Sequence, residues 1–454
     1  AGEAAIVLLG DPGMGKSTLF RRYAGEHYTT VRRFLNQRVA PANGPLFLDA
    51  LDEYRAVSAS GTALDDVAKA LHQSSKPFFR LSCRAADWYG QVDEEILKDA
   101  SSSGRLVVLE LLPFTELQIR QLVAGIVPDV ERFMDEADQA GLGPLLGNPQ
   151  SLELIAVAWN GPRPPRNKFE AFDGGIEKLL RERNAHHADR SPERYRDDDL
   201  RRAAGSAAAV ILLSNAVGIS RTEVGDGDYL GSSQVPYRPA AHVDAAFKRR
   251  IFSSPTPDRF EFTHRTVAEF LAAEDLARRI NEGLPVDRVL ALMCGVDGKP
   301  ISSLRGLFAW VMCHLGPSSE MYIELDPYGV ATYGDASALT PGAQARVWDS
   351  LRTLRDPWFL ANEDDRGTFR GLATVGTTST LRDVVLDEAS STHLKIAALE
   401  AVANSASDLG LSAIARDIAL QPSDNTWLRT TALKAYARSA GGTSDLEMLD
   451  GDLA

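Results

Sequence analysis

The sequence predicts a multidomain protein of the α/β plus α class, with a doubly wound parallel sheet first and α-helical repeats last. Short apolar runs alternate with helix-like segments over residues 1–115, a pattern typical of a parallel sheet covered by helices. The segments 394–406 and 428–440 align with their apolar residues in phase, which predicts stacked helical units. The chain of 454 residues is long enough for several such domains.

A glycine-rich segment follows the first predicted strand. The run "AAIVLL" (4–9) predicts a buried strand, and the spacing Gly10-x4-Gly15-Lys16-Ser17 after it matches a phosphate-binding loop. Successive N–H groups and the start of the next helix would face the phosphates, with Lys16 as a point charge and Ser17 as a Mg²⁺ ligand. The alternative is a glycine-rich turn without a ligand. The residues expected to contact a nucleotide here are Gly10, Asp11, Pro12, Gly13, Met14, Gly15, Lys16, Ser17 and Thr18.

A strand that ends in an acidic residue should accompany such a loop. The segment "PLFLDALDE" (45–53) supplies it, because Asp49 follows an apolar run at the end of a predicted strand, where α/β sheets bind ligands. We expect Asp49 to be the second Mg²⁺ ligand, through water. Glu53 could orient or deprotonate the attacking water. Alternatively, Asp52 and Glu53 are acids that stabilise a helix N-terminus.

A third strand is predicted over Phe78–Cys83, with Arg84 just beyond its end. A cation there could sense the γ-phosphate and stabilise transferring charge, so Arg84 joins Lys16, Asp49 and Glu53 as a candidate catalytic residue. The alternative is a surface arginine that pairs with Asp87. A further strand is predicted over Leu106–Leu111.

The interval between Lys16 and Asp49 is short for a parallel sheet. A parallel crossover needs a dozen or more residues, so this interval does not easily hold both a strand and a crossover helix. Either the sheet has lost a strand here or residues are absent. We expect that residues are missing near 27–30 and that 31–39 form the remnant of a helix.

Composition narrows the class of protein. The formal net charge of -13 argues against general nucleic-acid binding through a broad basic face. Three scattered cysteines favour reduced thiols in a cytoplasmic protein over a disulfide framework or a zinc site. Neither an apolar stretch of membrane length nor a signal peptide is found in the sequence. Because the first residue is not Met, we expect a segment to precede it.

Two further patterns mark helices. Thr115 and Gln118 have the spacing of a capping box, and the break Gly147-Asn148-Pro149 ends one helix and starts another at Pro149. A strand over 259–264 places Phe260 and Phe262 on one face. The amphipathic helix that follows has four apolar residues on one side: Val267, Phe270, Leu271 and Leu276.

These motifs together resemble those of the NACHT family of STAND ATPases, which includes NOD-like receptors and bacterial antiviral relatives. "GDPGMGKST" is similar to the family's phosphate loop, "LFLDALDE" to its metal motif, "LSCRA" to its sensor segment, "LLGNPQSLELI" to its helical-domain motif and "FEFTHRTVAEFLAA" to its winged-helix motif. The likeness covers about residues 1–280. The resemblance implies a P-loop NTPase domain (1–115), a helical domain (116–195), a winged-helix domain (196–283) and HEAT-like repeats (284–454), although the repeat spacing also suits tetratricopeptide units.

The resemblance also implies roles for two residues outside the first domain. Pro149 would lie near the nucleotide, and His264 would contact the β-phosphate of ADP in the closed state. Taken alone, a histidine after a strand is more often an ordinary surface or core residue than a ligand.

The function that the resemblance implies is an ATP/ADP-controlled switch with slow, regulatory hydrolysis. A protein trigger, possibly from a phage, would bind the C-terminal repeats, and the opened protomers would self-associate to activate an N-terminal effector in antiphage innate immunity. One alternative is a constitutive P-loop ATPase. Another is an ATP-dependent transcription regulator whose winged helix binds DNA, although its small basic cluster "FKRRIF" (247–252) also reads as a solvated helix end.

Overall fold

The computed structural model groups the chain into two compact units. The first unit comprises Ala1–Leu122, Leu146–Glu153 and Ile301–Ser303, and the second comprises Val123–Leu145, Leu154–Pro300 and Leu304–Ala454. The four-part division expected from the sequence stays a prediction. The structure describes residues 4–10, 13–37, 44–57, 63–84, 88, 90–140, 142–160, 164–181, 195–256, 258–354, 369–405, 408–421 and 425–439.

Within the described residues, the first unit is built on a five-stranded parallel sheet with the strand order β2-β3-β4-β1-β5. The inner strands are short apolar runs buried on both faces, as expected where helices cover both sides of a parallel sheet. The strands are β1 (Ala5–Leu9), β2 (Tyr28–Thr30), β3 (Leu46–Asp49), β4 (Phe79–Cys83) and β5 (Leu106–Glu110).

Four of these strands lie where the sequence predicts them, within a residue or two. The exception is β2, because the sequence analysis expects missing residues near 27–30 and the structure has an edge strand there. Tyr28–Thr30 pairs in parallel with Phe47–Asp49. The expectation that this interval is too short for a strand and a crossover helix is wrong. Residues 31–45, which connect the two strands, are enough for a parallel connection with a short helix. The expected helix remnant is present as Val31–Gln37.

Among the described residues, six helices accompany this sheet in the first part of the chain, and the sixth begins at a predicted signal. The capping box at the start of the sixth helix is confirmed, because the Thr115 N–H donates to Gln118 Oε1 at 2.9 Å and the Gln118 N–H donates to Thr115 Oγ1 at 3.4 Å. The helices are α1 (Lys16–Ala24), α2 (Val31–Gln37), α3 (Leu51–Val57), α4 (Ala63–Gln73), α5 (Gln91–Ala100) and α6 (Glu116–Val123).

The chain continues as helices that include the predicted break at Gly147-Asn148-Pro149. This break is confirmed, since one helix ends at Leu146 and the next begins at Pro149. The helices are α7 (Val130–Gln139), α8 (Gly143–Leu146), α9 (Pro149–Trp159), α10 (Lys168–Arg181) and α11 (Asp197–Leu213).

A small second sheet lies in the second unit with the strand order β7-β6-β9-β8, of which the sequence predicted only β9. The predicted apolar face of the helix after β9 is confirmed, because all four of its named residues are buried. This arrangement is compatible with the expected winged helix, which stays a prediction. The elements are β6 (Gly218–Ser220), β7 (Tyr229–Gly231), α12 (Ala240–Phe247), β8 (Phe252–Thr256), β9 (Arg259–Phe262) and α13 (Arg265–Asn281).

The C-terminal part is helical, with short 3-10 turns between some of the helices. Ala398 and Ala432, which the sequence alignment matches, are both fully buried, and both α19 and α20 pack against α21. The aromatic segment 321–335 contains a short helix. The helices are α14 (Val286–Met293), α15 (Arg305–Leu315), α16 (Pro327–Tyr333), α17 (Pro341–Arg352), α18 (Thr378–Leu386), α19 (Thr392–Ala403), α20 (Ser412–Leu420) and α21 (Thr426–Ser439). None of the helices in the described ranges has the length and apolarity needed to cross a bilayer.

Candidate functional site

The glycine-rich segment connects β1 to α1 through a tight turn. Gly13 and Gly15 have φ angles of 83° and 89°, in the left-handed region where glycine carries no Cβ penalty. Gly15 is the N-cap residue of α1, and its carbonyl accepts the Leu19 N–H at 2.9 Å. The ammonium of Lys16 donates to the Gly10 carbonyl, so the lysine side chain folds back over the turn. The segment therefore places a cation at the N-terminus of a nine-residue helix.

The other predicted loop residues follow this geometry where they are described. Met14 and Ser17 are half-buried, and Thr18 is exposed on the first turn of α1. Asp11 and Pro12 lie outside the described residues, so their predicted contacts stay predictions.

The start of α9 lies against this turn, within the same unit. Asn148 caps the helix, because its Oδ1 accepts the N–H groups of Gln150 at 3.1 Å and Ser151 at 3.2 Å, and Pro149 takes the first helical position. A Cβ added at Gly13 would collide with Gln150 Oε1 and would lie 2.8 Å from Asn148 Oδ1. The start of α9 therefore lies beside the glycine-rich turn, and the expected proximity of Pro149 to a nucleotide stays a prediction.

Asp49 ends β3 and is held by two hydroxyl groups. The Tyr28 hydroxyl donates to Oδ2 at 2.8 Å, and the Ser82 hydroxyl donates to Oδ1. Asp49 is only 3% exposed, so these two donors satisfy a carboxylate that water barely reaches. Burial and the neighbouring Asp49 charge both raise the pKa of Tyr28 well above its ordinary value, which keeps the phenol a donor.

The backbone after Asp49 adopts an unusual conformation. Ala50 has a φ of 63°, which non-glycine residues seldom adopt, and its N–H donates to Ser82 Oγ at 2.9 Å. Strained backbone of this kind is concentrated at functional sites, where the surroundings hold it in place. Ser82 thus fixes both the carboxylate of Asp49 and the turn that leads into α3.

Arg84 follows the end of β4 and forms an ion pair with Asp52. The two side chains are 13% and 8% exposed, and Arg84 Nε lies 2.8 Å from Asp52 Oδ2. The alternative partner Asp87 and the side chain of Glu53 lie outside the described part of the chain, although the Glu53 backbone belongs to α3. Asp52, the second residue of α3, therefore pairs with Arg84 and still lies where an acid stabilises a helix N-terminus.

The parallel sheet brings these groups to one edge. Strands of a parallel sheet all end on the same side, and β4 pairs with both β1 and β3. Lys16 begins the helix after β1, Asp49 ends β3 and Arg84 follows β4. Ser82 is the last but one residue of β4. Tyr28, Ser82 and Gln150 were missed as site residues. The Asn-Pro pair before Gln150 is a helix-start signal that could have pointed to it.

His264 lies in the other unit. It is the N-cap residue of α13, with an extended backbone and a half-buried side chain. Its contact with a diphosphate stays a prediction from the resemblance.

The donor set of the first unit fits a nucleotide and Mg²⁺. A left-handed glycine turn, an ammonium and a helix N-terminus suit phosphates, while the Ser17 hydroxyl and Asp49 carboxylate are the oxygen ligands that Mg²⁺ prefers. Among the described residues, no group of three or more His, Cys, Asp or Glu could hold a metal alone. A metal here would therefore depend on phosphate and water for its remaining ligands.

Comparison with known proteins adds no family assignment. No protein-family model matches the chain, and no curated protein matches it in sequence.

Proposed function

We propose that the chain is an ATP/ADP-controlled molecular switch of the NACHT-type STAND class, which senses a protein trigger and self-associates to activate an N-terminal effector. The observation that carries the proposal is the convergence at one sheet edge of the glycine turn with Lys16, the buried Asp49 and the Arg84 ion pair. Each group suits one part of a nucleoside triphosphate with Mg²⁺.

Binding would depend on the turn and on Lys16. The N–H groups of the turn and the start of α1 would face the phosphates, and the Lys16 ammonium would exchange the Gly10 carbonyl for phosphate oxygens. Mg²⁺, when bound, would neutralise phosphate charge, with Ser17 and Asp49 as its protein ligands.

The contacts of Asp49 and Arg84 favour a switch over a constitutive ATPase. Both carboxylate oxygens of Asp49 accept hydroxyl donors, and Arg84 is engaged by Asp52. These groups must leave or share their partners before they act on a metal or a γ-phosphate. Such an arrangement supports slow hydrolysis that depends on a conformational change.

The switch itself rests on the resemblance. ADP would be held between the glycine turn and His264 in the closed state, and a trigger on the C-terminal repeats would remove contacts made only in that state. Moving from almost fully closed to almost fully open needs about 5.5 kcal/mol of differential binding, which trigger and ATP can share. In a bacterium, we expect the output to be defence against phage.

The first test is the nucleotide that co-purifies with the protein, identified by chromatography after denaturation. Stoichiometric ADP is expected for a switch, whereas an empty site in freshly purified protein counts against it.

Lys16→Ala should abolish binding of ADP and ATP and any protection against phage. Lys69→Ala, an exposed lysine on α4, is the matched control and should change neither. Fast phosphate release by the wild-type protein without a partner would favour the constitutive ATPase.

A further inference from the structure

The side chain of Gln150 has a hydrogen-bond donor without an acceptor. Gln150 is only 6% exposed, and its Nε2 has no hydrogen-bond partner among the residues that the structure describes. A buried amide donor left unpaired is unfavourable, and such groups are few in native proteins. The described part of the chain therefore supplies no acceptor for this donor.

The location of Gln150 identifies the region that this partner occupies. Gln150 Oε1 takes the space that a side chain at position 13 would fill, so the terminal amide lies directly against the glycine turn. Nε2 is bonded to the same carbon as Oε1 and must lie beside the turn as well. The amide projects from the first turn of the eleven-residue helix α9, whose N-terminus favours negative charge.

The neighbouring polar group cannot satisfy the donor. Asn148 Oδ1 already accepts two backbone N–H groups of α9, which fixes the start of the helix and with it the position of the Gln150 backbone. The cap thus fixes the backbone of Gln150, while its side-chain amide nitrogen has no acceptor among the described residues. Because the side chain is already buried, it would lose less entropy on meeting an acceptor than an exposed glutamine would.

We propose that Gln150 is a nucleotide-binding residue whose Nε2 donates a hydrogen bond to a phosphate oxygen of the bound nucleotide. The inference rests on the proposed function and adds to it a neutral donor from α9 beside the Lys16 charge. The residue that the resemblance places near the nucleotide is Pro149, which has no side-chain donor. Gln150 would make the start of α9 respond to the presence of phosphate.

The opposing explanation is that Gln150 only packs against the turn. The two explanations differ in the empty protein. If the donor awaits a phosphate, Gln150→Met removes an unsatisfied group of similar shape, so the empty protein should keep or raise its unfolding temperature while phosphate binding weakens. If Gln150 only packs, stability and binding should fall together or neither should change.

The experiment uses the full chain, stripped of nucleotide, and two probes. Displacement of a fluorescent ADP analogue measures the affinity for ADP, and displacement by inorganic pyrophosphate measures the phosphate contribution without base or ribose. Thermal unfolding of the stripped protein is recorded in parallel. Gln121→Met, at an exposed position of α6, is the matched control.

We expect Gln150→Met to weaken both ADP and pyrophosphate by about 10-fold or more, the loss typical of a hydrogen bond to a charged group. Gln150→Glu should weaken both further, because it removes the donor and adds a negative charge. If Gln150→Met does not fold, the Glu variant and its pyrophosphate affinity decide the question. Affinities within twofold of wild type in either folded variant, or an equal loss of stability and binding in Gln150→Met, would overturn the proposal. Failure of wild-type protein to bind ADP would instead reject the proposed function.

Discussion

We predict that the hydrogen bond from the Tyr28 hydroxyl to Asp49 stabilises the pairing of β2 with β3. Tyr28→Phe keeps the ring and removes only the donor that lies 2.8 Å from Asp49 Oδ2. The carboxylate then retains the Ser82 hydroxyl on its other oxygen. The variant should therefore loosen the pairing of β2 with β3 without unfolding the sheet.

The size of the effect follows from the charge and burial of the acceptor. A hydrogen bond to a charged group contributes about 1.5–3 kcal/mol, which corresponds to roughly 10- to 100-fold faster local opening of β2 and β3. Because the pKa of Tyr28 is raised above its ordinary value, this contribution is fully present below about pH 10 and is lost as the pH rises through the folded-state pKa.

Amide hydrogen exchange of the full chain at neutral pH measures this local opening. Tyr54→Phe is the matched control, since the Tyr54 hydroxyl donates at 3.2 Å to a different carboxylate, that of Asp66 on α4. We expect it to leave exchange of β2 and β3 unchanged. If Tyr28→Phe exchanges like the control across β2 and β3, Asp49 is not held by this hydroxyl and the reasoning fails.

Two further predictions concern backbone geometry and pH. Gly13→Ala places a Cβ on a residue with a φ of 83°, which costs about 1–2 kcal/mol, and brings that Cβ into collision with Gln150. The affinity for ADP should therefore fall at least about 10-fold. An unchanged affinity would contradict the turn geometry. Burial, with the charge of Arg201, lowers the pKa of His314 to about 4, so the unfolded state binds the extra proton as pH falls from about 6.5. Between about pH 6.5 and pH 4 the wild-type protein should lose about 3 kcal/mol of its free energy of unfolding, and His314→Leu should lose less. If the unfolding temperatures of the two proteins fall in parallel with pH, His314 is not the cause of the loss.

The sequence was most informative where a pattern has one physical solution. The short apolar run that ends at Leu9, with Gly10 after it, favours a buried strand before a turn, and the Thr115–Gln118 spacing predicts a capping box. The same is true of the Asn-Pro pair that begins α9. These predictions needed only local information.

The missed features depend on contacts between distant segments. Tyr28–Thr30 contains no apolar run, and it becomes a strand because β3 offers an open edge. Ser82 reads as an ordinary strand residue until β3 brings Asp49 and the Ala50 N–H beside it. Gln150 is distinguished only by the glycine turn that buries its amide. These three roles arise from contacts between segments that are distant in sequence, so no local sequence pattern predicts them.

The position of β4 between β1 and β3 sets the distance between the chain segments that follow β1 and β3 at the carboxyl end of the sheet. Neighbouring strands lie about 4.8 Å apart, so the backbone that leads into the lysine turn and the backbone that carries Asp49 are separated by about 10 Å. Mg²⁺ binds its oxygen ligands at about 2.1 Å and gives up its water reluctantly. If a nucleotide and Mg²⁺ bind as proposed, this spacing would let Asp49 act on the phosphates through the hydrated cation and not by direct contact.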